Sequence, residues 1–142
     1  MKTPELLLLD THAWLWLLED NPRLGEAPRK VIAKAAKAAA LRLSAISVFE
    51  VALLVRKKRL TLAGLSLDAW VEKALALPGL CVVPVDARIA LLSQQLEEDF
   101  HPDPADRFIV ATARVEACRL VTADTLILPY AARTGLPVLA LE

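Results

Sequence analysis

Two rhythms of apolar and polar residues run along the chain. Residues 6–9 are four consecutive leucines, the unbroken run of a central strand covered on both faces. Short β-type runs recur at 41–44, 80–83, 120–122 and 138–141. Between them the pattern is helical. Residues 11–18 read as a short helix, Asn21 and Pro22 make a turn, and 28–40 are rich in alanine and lysine, with high helix propensity. Further helices are predicted over 47–58, 67–77, 86–98 and 104–117. In 86–98, Ile89, Leu92 and Leu96 recur at helical spacing, with Asp86 placed as the N-cap. Strands alternating with helices predict an α/β fold with a mostly parallel sheet of four to five strands and helices on both sides. No repeat, low-complexity tract or linker interrupts the pattern, so 1–142 is read as one domain.

Composition sharpens this picture in three places. A hydrophobic fraction of 56% in 142 residues exceeds what one small core needs, so part of it is expected to face another subunit or partner. Charges break every apolar run well short of a membrane span, and MKTPELLLLD is too short and too acidic for a signal peptide. A cytoplasmic protein that does not engage a membrane is therefore expected. Seventeen basic residues balance seventeen acidic ones, which argues against affinity built mainly on non-specific phosphate attraction. That balance leaves room for an anionic substrate recruited through bound cations. Cys81 and Cys118 lie in apolar company without metal-ligand spacing and read as buried free thiols.

Four carboxylates carry the chemistry. Asp10 directly follows the 6–9 strand, and Asp124 lies just beyond 120–122; Glu50 and Asp106 fall in the first turns of helices. Sites in open α/β sheets form beyond the C-terminal ends of the strands, so the usual winding brings these acids to one edge. Singly, three of them have structural explanations. Asp10 and Asp124 can cap helices, and Asp106 suits position N3 behind Asp103 as N-cap and Pro104 as N1. Glu50 resists that treatment, because it is embedded in Ile46-Ser-Val-Phe-Glu-Val-Ala-Leu-Leu-Val55 with no basic residue in the helix before Arg56. A carboxylate there is costly unless it is paired or bound to a cation. Clustered carboxylates without partners also repel one another, and a divalent cation removes the penalty. Oxygen-only ligands point to Mg²⁺ or Mn²⁺, which can activate water and clamp a phosphoryl group.

The same segments resemble a known family. Leu-Leu-Leu-Leu-Asp10-Thr11-His12-Ala13-Trp14-Leu-Trp16 resembles the opening strand of PIN domains of the VapC toxin type. Ser44-Ala-Ile-Ser47-Val-Phe-Glu50-Val-Ala is similar to their second acidic segment. His101-Pro-Asp-Pro-Ala-Asp106-Arg107-Phe-Ile-Val-Ala-Thr-Ala113 is similar to the third, and Leu120-Val-Thr-Ala-Asp124 to the fourth. Order, spacing and length match across essentially the whole chain. The resemblance implies a three-layer α/β/α PIN-like domain and endonucleolytic RNA cleavage dependent on Mg²⁺ or Mn²⁺. It also implies a homodimer and inhibition by a small cognate antitoxin. Asp10 and Asp106 would be the principal metal ligands, and Glu50 and Asp124 would complete the acidic pocket directly or through water. Water activated by the metal would then attack the RNA phosphodiester.

Supporting roles fall to neighbouring residues. Thr11, Ser47 and Thr122 place hydroxyls close enough to orient carboxylates or a metal-held water, and Asp103 lies near the same pocket; ordinary turn and capping duties explain them equally well. Arg56, Lys57, Lys58 and Arg59 form the one basic run, suited to the end of a helix and to an RNA backbone. Trp14, Trp16 and their leucines cover more than one face of a short helix, which assigns part of that surface to a partner. His12 and His101 are too few and too separated to indicate a zinc site, and a general-base histidine is not expected. Three other readings compete. A PIN nuclease of RNA processing would share the whole site. A phosphoaspartate enzyme using Asp10 as nucleophile wants a second Asp two residues on, where this chain has His12. A non-catalytic interaction domain leaves Glu50 unexplained.

Overall fold

The computed structural model describes residues 3–97, 100, 101 and 103–141. Five strands form one sheet: β1 (Leu7–Leu9), β2 (Leu41–Ser44), β3 (Leu80–Val83), β4 (Arg119–Thr122) and β5 (Val138–Ala140). Their order across the sheet is β3-β2-β1-β4-β5, and every neighbouring pair is parallel. Seven helices connect them: α1 (Thr11–Glu19), α2 (Glu26–Lys37), α3 (Ala45–Arg56), α4 (Leu67–Leu75), α5 (Ala87–Ser93), α6 (Pro104–Val115) and α7 (Ile127–Thr134). The result is the three-layer α/β/α sandwich that the alternating pattern predicts, with the sheet wholly parallel.

Burial follows from the two-residue period of a strand. Leu7 and Leu9 point to one face with Leu41, Leu43 and Val121, where Trp14, Ile32, Val51 and Ala74 of α1 to α4 cover them. Leu8 and Leu120 point to the other, against Ile109 and Val110 of α6 and Ile127 and Tyr130 of α7. A run of four leucines is thus needed to feed two cores from one strand.

Strand order also fixes where a site can form. From β1 the chain moves outward through β2 to β3, then returns to lay β4 on the opposite side of β1. The crevice between the C-terminal ends of β1 and β4 is the switch point of the sheet, where connecting segments diverge and leave room for a ligand.

Several expectations need correction. Cys81 is exposed on β3, an edge strand of the sheet; Cys118 is buried as expected. Trp14 belongs to the core, edge-on to Trp70 at 5.3 Å, so it offers no surface to a partner; Trp16 is only half-buried. Helix α5 stops at Ser93, short of the predicted 86–98. Arg107 Nε takes the Ser93 carbonyl at 3.1 Å, removing the acceptor that another turn would need; Glu98 lies outside the described residues. The pattern assigned nothing to the segment that forms α7, where Pro129 occupies the first turn, the one place a helix tolerates it.

Candidate functional site

Each acid is delivered by a local device. Asp10 leaves β1 in an extended conformation and caps α1, accepting a hydrogen bond from Ala13 N at 2.7 Å. Its backbone N–H still bonds to Val121 O of β4 at 3.1 Å, which pins it at the crevice. Asp124, beyond β4, accepts from Leu126 N and Ile127 N at 2.8 and 3.0 Å and so turns the chain into α7. Asp103 caps α6 through Ala105 N at 2.9 Å and Asp106 N at 3.3 Å, with Pro104 opening the helix. Asp106 follows in the first turn. Glu50 projects from α3, whose N-cap is Ser44 at the end of β2.

Hydroxyls join these acids in two chains. Thr11 Oγ1 donates to Glu50 Oε1 and lies 2.8 Å from Ser47 Oγ. A threonine has a single O–H, so the Ser47 hydroxyl is the donor in the second contact. Thr122 Oγ1 accepts from Asp124 N at 3.0 Å and donates to the Asp10 carboxylate, tying the two strand-end acids together. Three of the four proposed supporting groups are thus buried hydroxyls or partners of the acids; the fourth, Asp103, adds its own charge.

Electrostatics make this a single site. Burial raises the proton affinity of Asp10, which the hydrogen bonds from Thr122 and Ala13 partly oppose. Glu50 is raised by burial, with Thr11 opposing and the charges of Asp103 and Asp10 adding to it. Asp106 is pushed up to about 8, first by burial and then by Asp103, Asp124, Glu50 and Asp10. Every charge that drives this shift is another carboxylate. Such an arrangement is unstable when ionised unless a cation joins it.

One histidine stands among them. His101 Nε2 lies 3.3 Å from Asp106 Oδ2, and ligand atoms of His101, Asp106 and Asp124 all fall within 4.8 Å of one another. That contact lacks hydrogen-bond geometry, and Nε2 is buried with no hydrogen-bond partner among the described residues. A divalent ion fits this donor set: two carboxylate oxygens, an orphaned nitrogen and surplus negative charge. The tightest grouping therefore adds His101 and Asp124 to Asp106, whereas the resemblance pairs Asp106 with Asp10. Local patterning could not supply His101, because only folding of the loop before α6 brings it near Asp124.

A cleft of about 420 Å³ opens beside the acids, lined by Asp10, His12, Trp16, Arg23, Ala123, Asp124 and Thr125. Arg23, from the 3₁₀ turn Pro22–Leu24, lies over the Trp16 ring at 5.2 Å. It is a second residue that sequence patterning passed over. Arg56, Lys57, Lys58 and Arg59 are all exposed at the far end of α3. Arg56 stands about 9 Å along the helix from Glu50 at 1.5 Å per residue. This run lies beyond the cluster, on the solvent-exposed end of the helix that carries Glu50.

Known proteins share both the sequence and the architecture. Residues 7–132 match the model of the PIN domain family. The chain is 34% identical over 118 residues to Ribonuclease VapC22 of Mycobacterium tuberculosis, covering 83% of this chain and 86% of that protein. Among solved structures, FitAcB from Neisseria gonorrhoeae superposes with a TM-score of 0.60 at 25% identity, over 94% of this chain and 96% of that one. VapBC2 from Rickettsia felis, bound to a DNA fragment from its promoter, gives a TM-score of 0.67 at 14% identity, over 96% and 99% of the two chains. With the match running from β1 through most of α7, this chain belongs to the PIN-domain family and, within it, to the VapC proteins.

Proposed function

We propose that the chain is an endoribonuclease dependent on Mg²⁺ or Mn²⁺, the toxin of a toxin–antitoxin pair, and that 1–142 form its single nuclease domain. The observation that carries this reading is the gathering of Asp10, Glu50, Asp106 and Asp124 at the switch point, with Asp106 raised to about 8 first by burial and then by its fellow carboxylates. Kinship with a protein named a ribonuclease supplies the substrate class. Relatives solved as toxin–antitoxin complexes, one of them from Klebsiella pneumoniae, support a small cognate antitoxin as partner. The exposed Phe49, Leu91 and Leu126 give the antitoxin and a second copy of the chain apolar surface to cover. Among the described residues no helix is long and apolar enough to cross a membrane, consistent with the cytoplasmic site of action we assign.

In this reading Asp106 and Asp124 hold the ion, while Asp10 and Glu50 complete the acidic pocket directly or through water. A bound divalent cation supplies the Lewis acid and the activated water that hydrolysis of an RNA phosphodiester needs. Thr11 and Ser47 fix the rotamer of Glu50, and Thr122 fixes that of Asp10. Arg23, stacked on Trp16 in the adjoining cleft, neutralises a substrate phosphate, and residues 56–59 receive the strand farther on.

The test is cleavage of a panel of structured and single-stranded RNAs by purified protein with Mg²⁺, Mn²⁺ or EDTA, beside Asp10→Asn. Cutting that requires metal and falls by at least about 100-fold in the variant, with an unchanged circular dichroism spectrum, is the expected result. Cutting by Asp10→Asn at the wild-type rate overturns the assignment.

A further inference from the structure

We propose that His101 contributes Nε2 as a direct ligand to the divalent ion held by Asp106 and Asp124, giving the centre a mixed nitrogen–oxygen donor set. The inference rests on the metal-dependent reading above and deepens it. Three observations carry it. First, Nε2 faces the carboxylates, 3.3 Å from Asp106 Oδ2 and within 4.8 Å of a ligand atom of Asp124. Second, Nε2 is withdrawn from solvent and makes no hydrogen bond among the described residues, although an imidazole nitrogen buried among acids has every opportunity to make one. An atom left open on the side facing two carboxylates is placed for a shared cation.

Third, neighbouring groups hold the ring in position. Arg107 donates through Nη1 to the carbonyls of Phe100 and His101, at 3.2 and 3.3 Å, and through Nε to Ser93 O. The Phe100 ring stacks on the imidazole with centroids 4.5 Å apart, and Phe100 is itself buried against Tyr130 at 4.6 Å. Arg107 follows Asp106 in α6, so one helical turn presents the carboxylate and straps down the loop that carries the histidine. Arg107 is here a positioning residue. A ligating histidine needs its ring orientation fixed by the groups around it, and here stacking and the strapped loop supply that restraint.

A neutral imidazole changes which ion the site prefers. Nitrogen ligation favours later first-row ions over Mg²⁺, which prefers oxygen and retains its water. The centre should therefore take Mn²⁺ in preference to Mg²⁺ by a margin that His101 sets. The bland competitor is a His101–Asp106 ion pair with no metal bond to the ring.

Pulsed EPR on the full chain loaded with Mn²⁺ separates the two. Protein grown with ¹⁵N-histidine is compared with unlabelled protein, beside His101→Gln and His12→Gln. Expected is a nitrogen hyperfine coupling from one directly bound imidazole that changes isotope pattern with the label, disappears in His101→Gln and persists in His12→Gln. The ratio of Mn²⁺ to Mg²⁺ affinity should fall about tenfold in His101→Gln. Bound Mn²⁺ without nitrogen coupling in the wild-type chain leaves an ion pair only and overturns the proposal. Coupling lost in His12→Gln and kept in His101→Gln overturns it as well. A wild-type protein that binds no Mn²⁺ overturns the metal-dependent reading itself, and the proposal with it. The labelled wild-type chain answers the question even if a variant folds poorly.

Discussion

Thr11 sits in the first turn of α1, yet its hydroxyl serves α3, donating to Glu50 while accepting from Ser47. Removing it in Thr11→Val keeps the shape and deletes the one hydrogen bond that opposes the upward push on the Glu50 carboxyl. Single-turnover cleavage should slow about tenfold, and the pH at which half the activity appears should move upward. Arg23→Ala has a different signature: RNA binding should weaken across all sequences, and its dependence on salt should lose about one unit of slope. A binding isotherm repeated at several salt concentrations reads this directly. Individual residues were unevenly legible in the sequence. Asp10, Asp124 and Asp106 follow from strand ends and capping positions, and Glu50 from a carboxylate stranded among apolar neighbours. His101 and Arg23 lie in turns, where no periodicity reports on what the side chain will meet. Cys81 misled because an apolar sequence neighbourhood does not reveal which strand lies at an edge.

Among the helices, α2, α3 and α6 end in the same manner. Ala39, Lys58 and Ala117 adopt left-handed conformations at φ 54°, 59° and 53°. The paired bonds Ala40 N to Ala35 O, Arg59 N to Leu54 O and Cys118 N to Ala113 O close Schellman turns. Glycine ordinarily occupies that position, and its absence explains why patterning runs these helices on to 40, 58 and 117. Helix-favouring residues continue through the turn, so nothing local announces the stop. An L-residue forced into this region costs about 1–2 kcal/mol, part of which glycine would return as unfolded-chain entropy. Ala117→Gly is therefore expected to stabilise the protein by about 0.5–1 kcal/mol, read from the midpoint of a urea titration at unchanged slope. Gly79 is the opposite case. A Cβ there would lie 2.1 Å from Ala36 O, so glycine is what lets α2 pass close to the entry of β3.

For the molecule as a whole, the acidic pocket makes stability depend on pH in an unusual direction. An unfolded chain releases the Asp106 proton near 3.8, whereas the fold keeps it to about 8. Between those values the native state binds more protons than the unfolded state, so metal-free protein should lose stability as pH rises through that window. Melting temperatures in EDTA should fall from about pH 5 to pH 8, and Asp106→Asn should flatten the curve. Mn²⁺ should restore stability at the alkaline end, since it takes the place of the proton. A melting temperature in EDTA that climbs with pH would count against the buried, mutually repelling cluster. The layered architecture was readable from alternation alone. The convergence of the acids followed only once the usual right-handed winding was assumed, since it depends on β4 returning beside β1. That return has a temporal meaning. A chain emerging from the ribosome presents Asp10 first and Asp124 last, with the strand that joins them delayed until residue 119. Until then β1 has no partner on that flank and Asp10 lacks its bond to Val121, so the acids of the pocket meet only when the last of them has been made.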